Sequence, residues 1–187
     1  WYNSQIYKTG DLMYDSFLQF EAQDINNREK YIYVTVHRAS NTDNEKNLTT
    51  ILQSLCEINH NIKIIFPIHP RTKEAMEKYS LSVNFDLLEP IGYLDSLNFI
   101  RNSEFVITDS GGVVREAYWA NKPSILLLES PLWPELVKLD ACINCKSDYK
   151  SIMESYNKIH SLKPKYNSDV FGDGQAAEKI KNILKKY

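Results

Sequence analysis

Short runs of apolar residues alternate with amphipathic segments along most of the chain. The runs predict buried strands at residues 31–36, 62–68, 85–88, 105–107, 124–128 and 141–143. Each run is continuous rather than alternating, which is typical of a parallel sheet with helices on both faces. The pattern therefore predicts an α/β fold with a doubly wound parallel sheet of the Rossmann type.

The segments between these runs carry apolar residues at helical spacing. Thr42 and Glu45 form a capping-box pattern, which predicts that the helix after the first strand begins there. Leu94, Leu97 and Ile100 predict another helix that turns these three residues inward. Further helices are expected over 73–79, from the glycine pair to 121, as a single turn through 139, over 149–161 and from 175 to the end.

The length of 187 residues suits one compact domain with a short addition. We predict that residues 1–27 form a connecting segment with an outer helix, and that residues 28–187 form the Rossmann-like domain. The polar residues 21–30 predict a loop or linker. The first residue is Trp1 rather than methionine, which suggests a fragment of a longer protein.

Composition and charge exclude several classes of protein. A net charge of -2 without a basic patch argues against nucleic acid as the main partner. No apolar stretch reaches the roughly 18 residues that a membrane span needs, and no signal peptide is evident. Cys142 and Cys145 form an isolated Cys-x-x-Cys pair, with only Cys56 besides. We therefore expect reduced thiols in a cytoplasmic protein, with no metal and no cofactor.

A polar turn with paired glycines follows the strand at 105–107. Ser110 precedes Gly111 and Gly112, and a helix is predicted to start there. Exposed N–H groups at the positive end of a helix bind phosphate. Glu116 lies one helical turn after Gly112, on the same side, where a carboxylate suits ribose hydroxyls. The alternative is an ordinary strand–turn–helix corner in which the glycines only permit close packing.

Ligands of such sheets bind at the carboxyl ends of the strands. Polar residues follow four of the predicted strands, and the candidates among them are His37, Arg38, His69, Arg71 and the turn 109–112. Two histidines and two arginines on one edge favour a site for a polyanion.

Each of these residues also has a purely structural interpretation. His37 suits the cap of a neighbouring helix, and Arg38 suits a surface pair with Asp43 or Glu45. The dipeptide at 69 and 70 suits a turn, Asp109 suits an acceptor of loop N–H groups, and Tyr93 suits packing. Motifs of the nucleophile elbow, the Walker-type phosphate loop and the dinucleotide fingerprint are absent from the sequence.

Several motifs in register resemble the non-hydrolysing UDP-N-acetylglucosamine 2-epimerases. The matching stretches are Val36-His37-Arg38-Ala39-x-Asn41, His69-Pro70-Arg71-Thr72, Glu89-Pro90-x-x-Tyr93-Leu94, Thr108-Asp109-Ser110-Gly111-Gly112, Trp133-Pro134-Glu135 and Phe171-Gly172-Asp173-Gly174-x-Ala176. Gly10-Asp11 resembles the segment where the N-terminal domain of the family passes into the C-terminal one. The resemblance covers nearly the whole chain but only the second half of a family member.

The resemblance implies one half of a glycosyltransferase-B-like protein, in which residues 28–187 would hold UDP. Ser110, Gly111 and Gly112 would bind the diphosphate, Glu116 the ribose, and the backbone of Ile91 the uracil. His37 would act in catalysis and, with Arg38, lie against the phosphate or the leaving UDP. We call the edge of the sheet that carries these histidines and arginines the rim. Two further residues of the rim, His69 and Arg71, complete the substrate-binding set.

The family eliminates UDP from C1 with loss of the C2 proton, and then adds UDP back on the other face. The candidate bases lie in the N-terminal domain, so the resemblance implies that this chain alone is inactive and that its partners are a UDP-sugar, the missing domain and a second copy in a homodimer.

The chain departs from the family at three positions. Val114 and Arg115 stand where glutamine and glutamate are usual, and Leu128 stands where arginine is often found. Two alternatives therefore stay open beside the epimerase. One is a non-catalytic module that binds nucleotide sugars, and the other is a hydrolysing 2-epimerase.

Overall fold

The computed structural model describes residues 5–20, 29–166 and 169–186. Most of the loop or linker predicted at 21–30 lies outside the described residues. Two compact units are present, one comprising residues 1–21 with 167–187 and the other residues 22–166. The division into residues 1–27 and 28–187 stays a prediction.

The larger unit contains a parallel sheet of six strands. The strands are β1 (Tyr31–Thr35), β2 (Lys63–Pro67), β3 (Leu87–Leu88), β4 (Phe105–Thr108), β5 (Ser124–Leu127) and β6 (Cys142–Cys145). Their order across the sheet is β3-β2-β1-β4-β5-β6, and every neighbouring pair is parallel. This is a doubly wound, Rossmann-like α/β sheet, so the predicted fold class is confirmed.

The helices of the described residues follow the predicted alternation. They are α1 (Leu12–Leu18), α2 (Ala39–Thr42), α3 (Glu45–Asn59), α4 (Pro70–Lys78), α5 (Tyr93–Asn102), α6 (Gly111–Trp119), α7 (Pro134–Lys138), α8 (Tyr149–Ile159) and α9 (Ala176–Leu184).

Both faces of the sheet are buried. Successive residues of β1 point to opposite faces, so Ile32 joins one apolar cluster while Tyr31 and Tyr33 join another. The first cluster includes Leu48 of α3, and the second includes Ile100 of α5. Residues of β1 therefore had to be apolar without alternation, which is the pattern that the sequence displays.

Two predicted helix details are wrong. Helix α3 begins at Glu45 with Asn44 as its N-cap, and the Asn44 side chain accepts from the Asn47 N–H group at 3.2 Å. Thr42 is instead buried at the end of α2, where its hydroxyl donates to the Arg38 carbonyl at 3.1 Å. Leu94 is 50% exposed on α5, whereas Leu97 and Ile100 are buried as predicted.

The sheet order places the ends of β1 and β4 side by side. The chain builds β2 and β3 on one side of β1 and then returns to build β4 on the other. Because the connections leave in opposite directions at this point, a crevice opens between the segments that follow β1 and β4. These segments are residues 36–38 and 109–112, the two stretches that carry most of the candidate site.

The smaller unit pairs α1 with α9. The carboxylate of Asp15 accepts from the N–H groups of Ala176 and Ala177 at 3.0 and 2.7 Å, and so caps α9. The turn before α9 requires Gly172, whose φ is +93° and whose added Cβ would lie 2.8 Å from the Gly10 Cα atom. Gly10 and Gly172, one glycine from each end motif, are thus explained by one close backbone approach.

Candidate functional site

Asp109 joins the two segments that form the crevice. Its carboxylate is 0% exposed and accepts from the N–H groups of His37 at 3.0 Å and Arg38 at 2.9 Å. It also accepts from the amide of Asn41 at 3.0 Å. Three donors compensate the buried charge, so Asp109 acts as the structural acceptor that the sequence offered as one interpretation.

The first turn of α6 exposes two backbone donors. Ser110 is the N-cap, and its hydroxyl accepts from the Val113 N–H group at 3.5 Å. Among the described residues, neither Gly111 nor Gly112 donates its N–H group to another protein atom. Both donors lie at the positive end of a helix, which is the arrangement that binds an anion.

Gly111 also packs against the segment before α7. The indole N–H of Trp133 donates to the Gly111 carbonyl at 3.0 Å. A Cβ on Gly111 would lie 2.8 Å from Leu132 Cδ1 and 3.9 Å from an Nη atom of Arg38. The packing interpretation of this glycine is therefore correct as well, and it accompanies the open N–H groups rather than replacing them.

Glu116 is buried on α6 and is 5% exposed. Burial raises the pKa of its carboxyl, while a hydrogen bond from Tyr93 and the charge of Arg115 act in the opposite direction. Burial and the neighbouring Glu116 raise the pKa of Tyr93. From the sequence, Tyr93 was predicted to serve only in packing, so its hydrogen bond to Glu116 was missed. The only sequence signal was its place in the motif that begins at Glu89.

Ile91, in the same stretch, lies half-buried between β3 and α5.

The two histidines of the rim lie together. The ring centroids of His37 and His69 are 5.1 Å apart, and His37 Nδ1 lies 3.8 Å from an Asp109 oxygen. Burial lowers the pKa of His37, the Asp109 charge opposes this, and His69 and Arg38 lower the pKa further. A neutral imidazole at His37 is therefore favoured near neutral pH.

The histidine that caps a helix is His69 rather than His37. Its Nδ1 atom accepts from the Arg71 N–H group at 3.1 Å at the start of α4. Neutral His69 must then carry its proton on Nε2, which makes that atom a donor.

The two arginines of the rim differ in their partners. Arg71 pairs with Asp43 at 2.7 Å and donates to the Thr42 hydroxyl at 3.0 Å, so its side chain is bound to the end of α2. The surface pair that was considered for Arg38 is therefore formed by Arg71. Within residues 29–166, Arg38 forms no ion pair, and it lies beside the first turn of α6.

A cleft of about 750 Å³ adjoins Arg38 at the same edge of the sheet. It lies between the start of α3 and the ends of β5 and β6, and no pattern in the sequence predicted it. Lys46 and Lys146 add to its positive charge, while Glu129 and Asp148 oppose it. Leu128, one of the departures from the family pattern, is part of its wall.

The Cys-x-x-Cys pair lies on β6, and all three cysteines are free. Burial raises the pKa of Cys142 and of Cys145 to about 11, so both are thiols at neutral pH. In the part of the chain that the structure describes, His, Cys, Asp and Glu form no cluster of three or more suited to a metal ion. None of the described helices has the length and apolar character to cross a membrane.

Comparison with known proteins identifies the family. The family model described as UDP-N-acetylglucosamine 2-epimerase matches residues 2–185. A UDP-N-acetylglucosamine 2-epimerase homolog of Methanococcus maripaludis is 38% identical, with 98% of this chain and 55% of the relative covered. The UDP-2,3-diacetamido-2,3-dideoxy-D-glucuronate 2-epimerase of Pseudomonas aeruginosa is 32% identical, with 98% and 53% covered.

Comparison with solved structures points to the same family. The UDP-GlcNAc 2-epimerase of Methanocaldococcus jannaschii, in complex with UDP-GlcNAc and UDP, superposes with a TM-score of 0.85 at 31% identity. The alignment covers 97% of this chain and 55% of that one, so the chain spans about half the length of its relatives. The fold is one half of a glycosyltransferase-B-like architecture, as predicted. Because the family model matches nearly the whole length of this chain, the chain belongs to the UDP-N-acetylglucosamine 2-epimerase family.

Proposed function

We propose that this chain is the UDP-binding C-terminal half of a UDP-N-acetylglucosamine 2-epimerase. The observation that carries the proposal is the pair of open N–H groups at Gly111 and Gly112, one helical turn from the buried carboxylate of Glu116. An anion site and a ribose acceptor on one side of one helix match the two polar parts of a nucleoside diphosphate.

The individual roles extend this proposal. The diphosphate binds Ser110, Gly111 and Gly112, the ribose binds Glu116, and the uracil binds the backbone of Ile91. His37 and Arg38 adjoin the helix end and stabilise the departing diphosphate, His37 as the catalytic residue. Support for Arg38 comes from its position beside Gly111 without an ion-pair partner among residues 29–166.

The contributions of His69 and Arg71 differ within the proposal. His69 offers an Nε2–H donor beside His37, which suits an oxygen of the substrate. Arg71 already bonds Asp43 and Thr42, so it contributes positive charge to the rim more readily than direct bonds. Of the predicted substrate-binding residues, Arg71 is thus the one whose contacts support the role least.

The reaction we propose for the whole protein is elimination followed by addition. The C1–O bond breaks with its electron pair leaving on UDP, a base takes the C2 proton, and a C1–C2 double bond forms. Proton and UDP then return, with C2 inverted. We place the base outside this chain, so the isolated chain binds UDP but does not catalyse the reaction. A cytoplasmic location and a homodimer are parts of the same proposal.

Calorimetric titration with UDP tests the binding site directly. Saturable heat is expected at micromolar to millimolar UDP, and no saturable heat at millimolar UDP would refute the proposal. Glu116→Ala should weaken UDP binding far more than pyrophosphate binding, because only UDP carries the ribose. An equal loss for both ligands would contradict the ribose role of Glu116.

The cleft beside Arg38 favours a second candidate for the sugar. Lys46 and Lys146 suit a carboxylate, such as the uronate named for the Pseudomonas relative. Competition between UDP-glucuronate and UDP-N-acetylglucosamine, repeated with Lys46→Gln and Lys146→Gln, tests this candidate. A loss of uronate affinity that spares the neutral sugar is the expected result, and an equal response of both sugars would exclude a uronate site.

The hydrolysing enzyme and the non-catalytic module are separated by product analysis on the whole protein. An epimerase yields the epimeric UDP-sugar, a hydrolase yields UDP with free sugar, and a module yields neither.

A further inference from the structure

The segment between β5 and α7, residues 128–133, contacts the first turn of α6. Trp133 bonds the carbonyl of Gly111 at 3.0 Å, and Leu132 fills the space that a side chain at position 111 would need. We call Leu132 and Trp133 the wall. It lies against one of the two glycines whose N–H groups are open.

Arg115 contacts both Gly111 and this wall. Its Nε atom donates to the same Gly111 carbonyl at 3.3 Å, beside the bond from Trp133. The guanidinium carbon lies 4.7 Å from the ring centroid of Trp133 and 5.9 Å from that of Trp119. A guanidinium within about 6 Å of two ring centroids is attracted to both indoles by cation–π interaction.

The geometry separates holding the wall from binding an anion. Arg115 donates its Nε–H to a main-chain carbonyl and lies over two indole rings, so these contacts are with protein groups. A lysine at this position would keep the positive charge. It would lose the planar group that stacks on the rings while donating to the carbonyl.

We propose that Arg115 is a positioning residue for the diphosphate end of the site, acting through the wall. It keeps Leu132 and Trp133 against Gly111, and so keeps water away from one side of the anion-binding N–H groups. Excluding water lowers the local dielectric constant and strengthens the attraction between these groups and a phosphate. The inference rests on the proposed binding of UDP and assigns a role to a residue that departs from the family pattern.

The test compares Arg115→Gln and Arg115→Lys in titrations with UDP, pyrophosphate and uridine. Both variants should weaken UDP and pyrophosphate by about tenfold, the size expected when the stacking on Trp133 and the hydrogen bond to the Gly111 carbonyl are lost. Uridine binding should stay within about twofold, because the wall adjoins the phosphate end. Acrylamide quenching of tryptophan fluorescence should increase in both variants, since Trp133 is released.

Two further variants keep the inference testable if Arg115→Gln folds poorly. Trp133→Phe retains a ring for Arg115 but removes the bond to Gly111, and should weaken UDP in the same direction. Lys138→Gln removes one positive charge from an exposed position of α7 and should leave UDP binding unchanged.

Each contrary outcome has a distinct meaning. Wild-type affinity in Arg115→Lys with a loss in Arg115→Gln would show that only the charge of Arg115 matters, and would refute its role in positioning the wall. Unchanged affinity in Arg115→Gln, Arg115→Lys and Trp133→Phe would overturn the positioning role while UDP binding stands. Absence of UDP binding in the wild-type chain would refute the proposed function, and this inference would fall with it.

Discussion

Replacing Asp109 tests whether this carboxylate assembles the site rather than taking part in chemistry. Asp109→Ala removes the acceptor of three donors, the N–H groups of His37 and Arg38 and the amide of Asn41. Asp109→Asn is milder, because its remaining oxygen can occupy the position of Oδ2, which lies within 3.1 Å of all three donors. The new NH₂ group then opposes only the His37 N–H group.

The expected losses follow from these contacts. A buried donor without a partner costs about 1–3 kcal/mol, and removing one member of a buried charged network costs about 3–5 kcal/mol. We expect Asp109→Ala to lower the free energy of unfolding by about 3–5 kcal/mol and Asp109→Asn by about 1–3 kcal/mol. At about 2–4 °C per kcal/mol for a chain of this size, the midpoint for Asp109→Ala should fall by about 6–20 °C.

Thermal and urea unfolding followed by circular dichroism measure both losses. Asp43→Ala is the matched control, because Asp43 forms an exposed ion pair on the same edge of the sheet, and such pairs contribute little. A loss below about 1 kcal/mol for Asp109→Ala, well under the range for a buried network, would refute the reasoning. So would a greater loss for Asp109→Asn than for Asp109→Ala.

Three other predictions concern Glu116, Tyr93 and Gly172. Because burial raises the pKa of Glu116 in the folded state, its ionisation costs stability above that pKa, and the cost disappears below the unfolded pKa. Glu116→Gln should therefore stabilise the chain at neutral pH and lose this advantage in acid, as urea unfolding between pH 4 and 8 will show; a gain that grows in acid would contradict the sign. Tyr93→Phe removes the hydrogen bond that opposes this rise, so the pKa of Glu116 should rise further. As the pH is lowered, Glu116 then takes up its proton earlier, and UDP affinity measured by calorimetry should begin to fall at a higher pH than in the wild type. Identical pH profiles would refute the orienting role of Tyr93. Gly172→Ala should increase proteolysis near α1 and α9, because both its φ of +93° and the backbone of Gly10 oppose a side chain. Its control, Gly92→Ala, has no such conflict and should resist proteolysis as the wild type does.

The strands and the edge that carries the candidate site were predictable from the sequence. Buried parallel strands need continuous apolar residues, and their carboxyl ends meet at one edge whatever the order of the strands. Placing His37, His69 and Ser110 on that edge required no knowledge of individual contacts. The pairing of rings between His37 and His69 then follows from the adjacency of β1 and β2.

Contacts between side chains of different elements were not predictable in this way. Arg71 and Arg38 are both arginines near Asp43, and only the packing of α4 on α2 decides that Arg71 forms the pair. The bond between Tyr93 and Glu116 depends likewise on how α5 lies beside α6. The start of α3 was ambiguous for a local reason, because Thr42 and Asn44 are both good N-caps and the short α2 takes up Thr42.

The adjacency of β1 and β4 has a consequence for the order of folding. The bond between the His37 N–H group and Asp109 joins residues 72 positions apart. The strands β2 and β3, on the other side of β1, must be made between them. A chain that has folded only through α5 has β1, β2 and β3 but lacks half of the crevice. Nucleotide binding would thus appear only once β4 has docked. This docking forms contacts between residues far apart in sequence, and such contacts slow the folding of parallel sheets. A fluorescent nucleotide added during refolding would then time that single docking event.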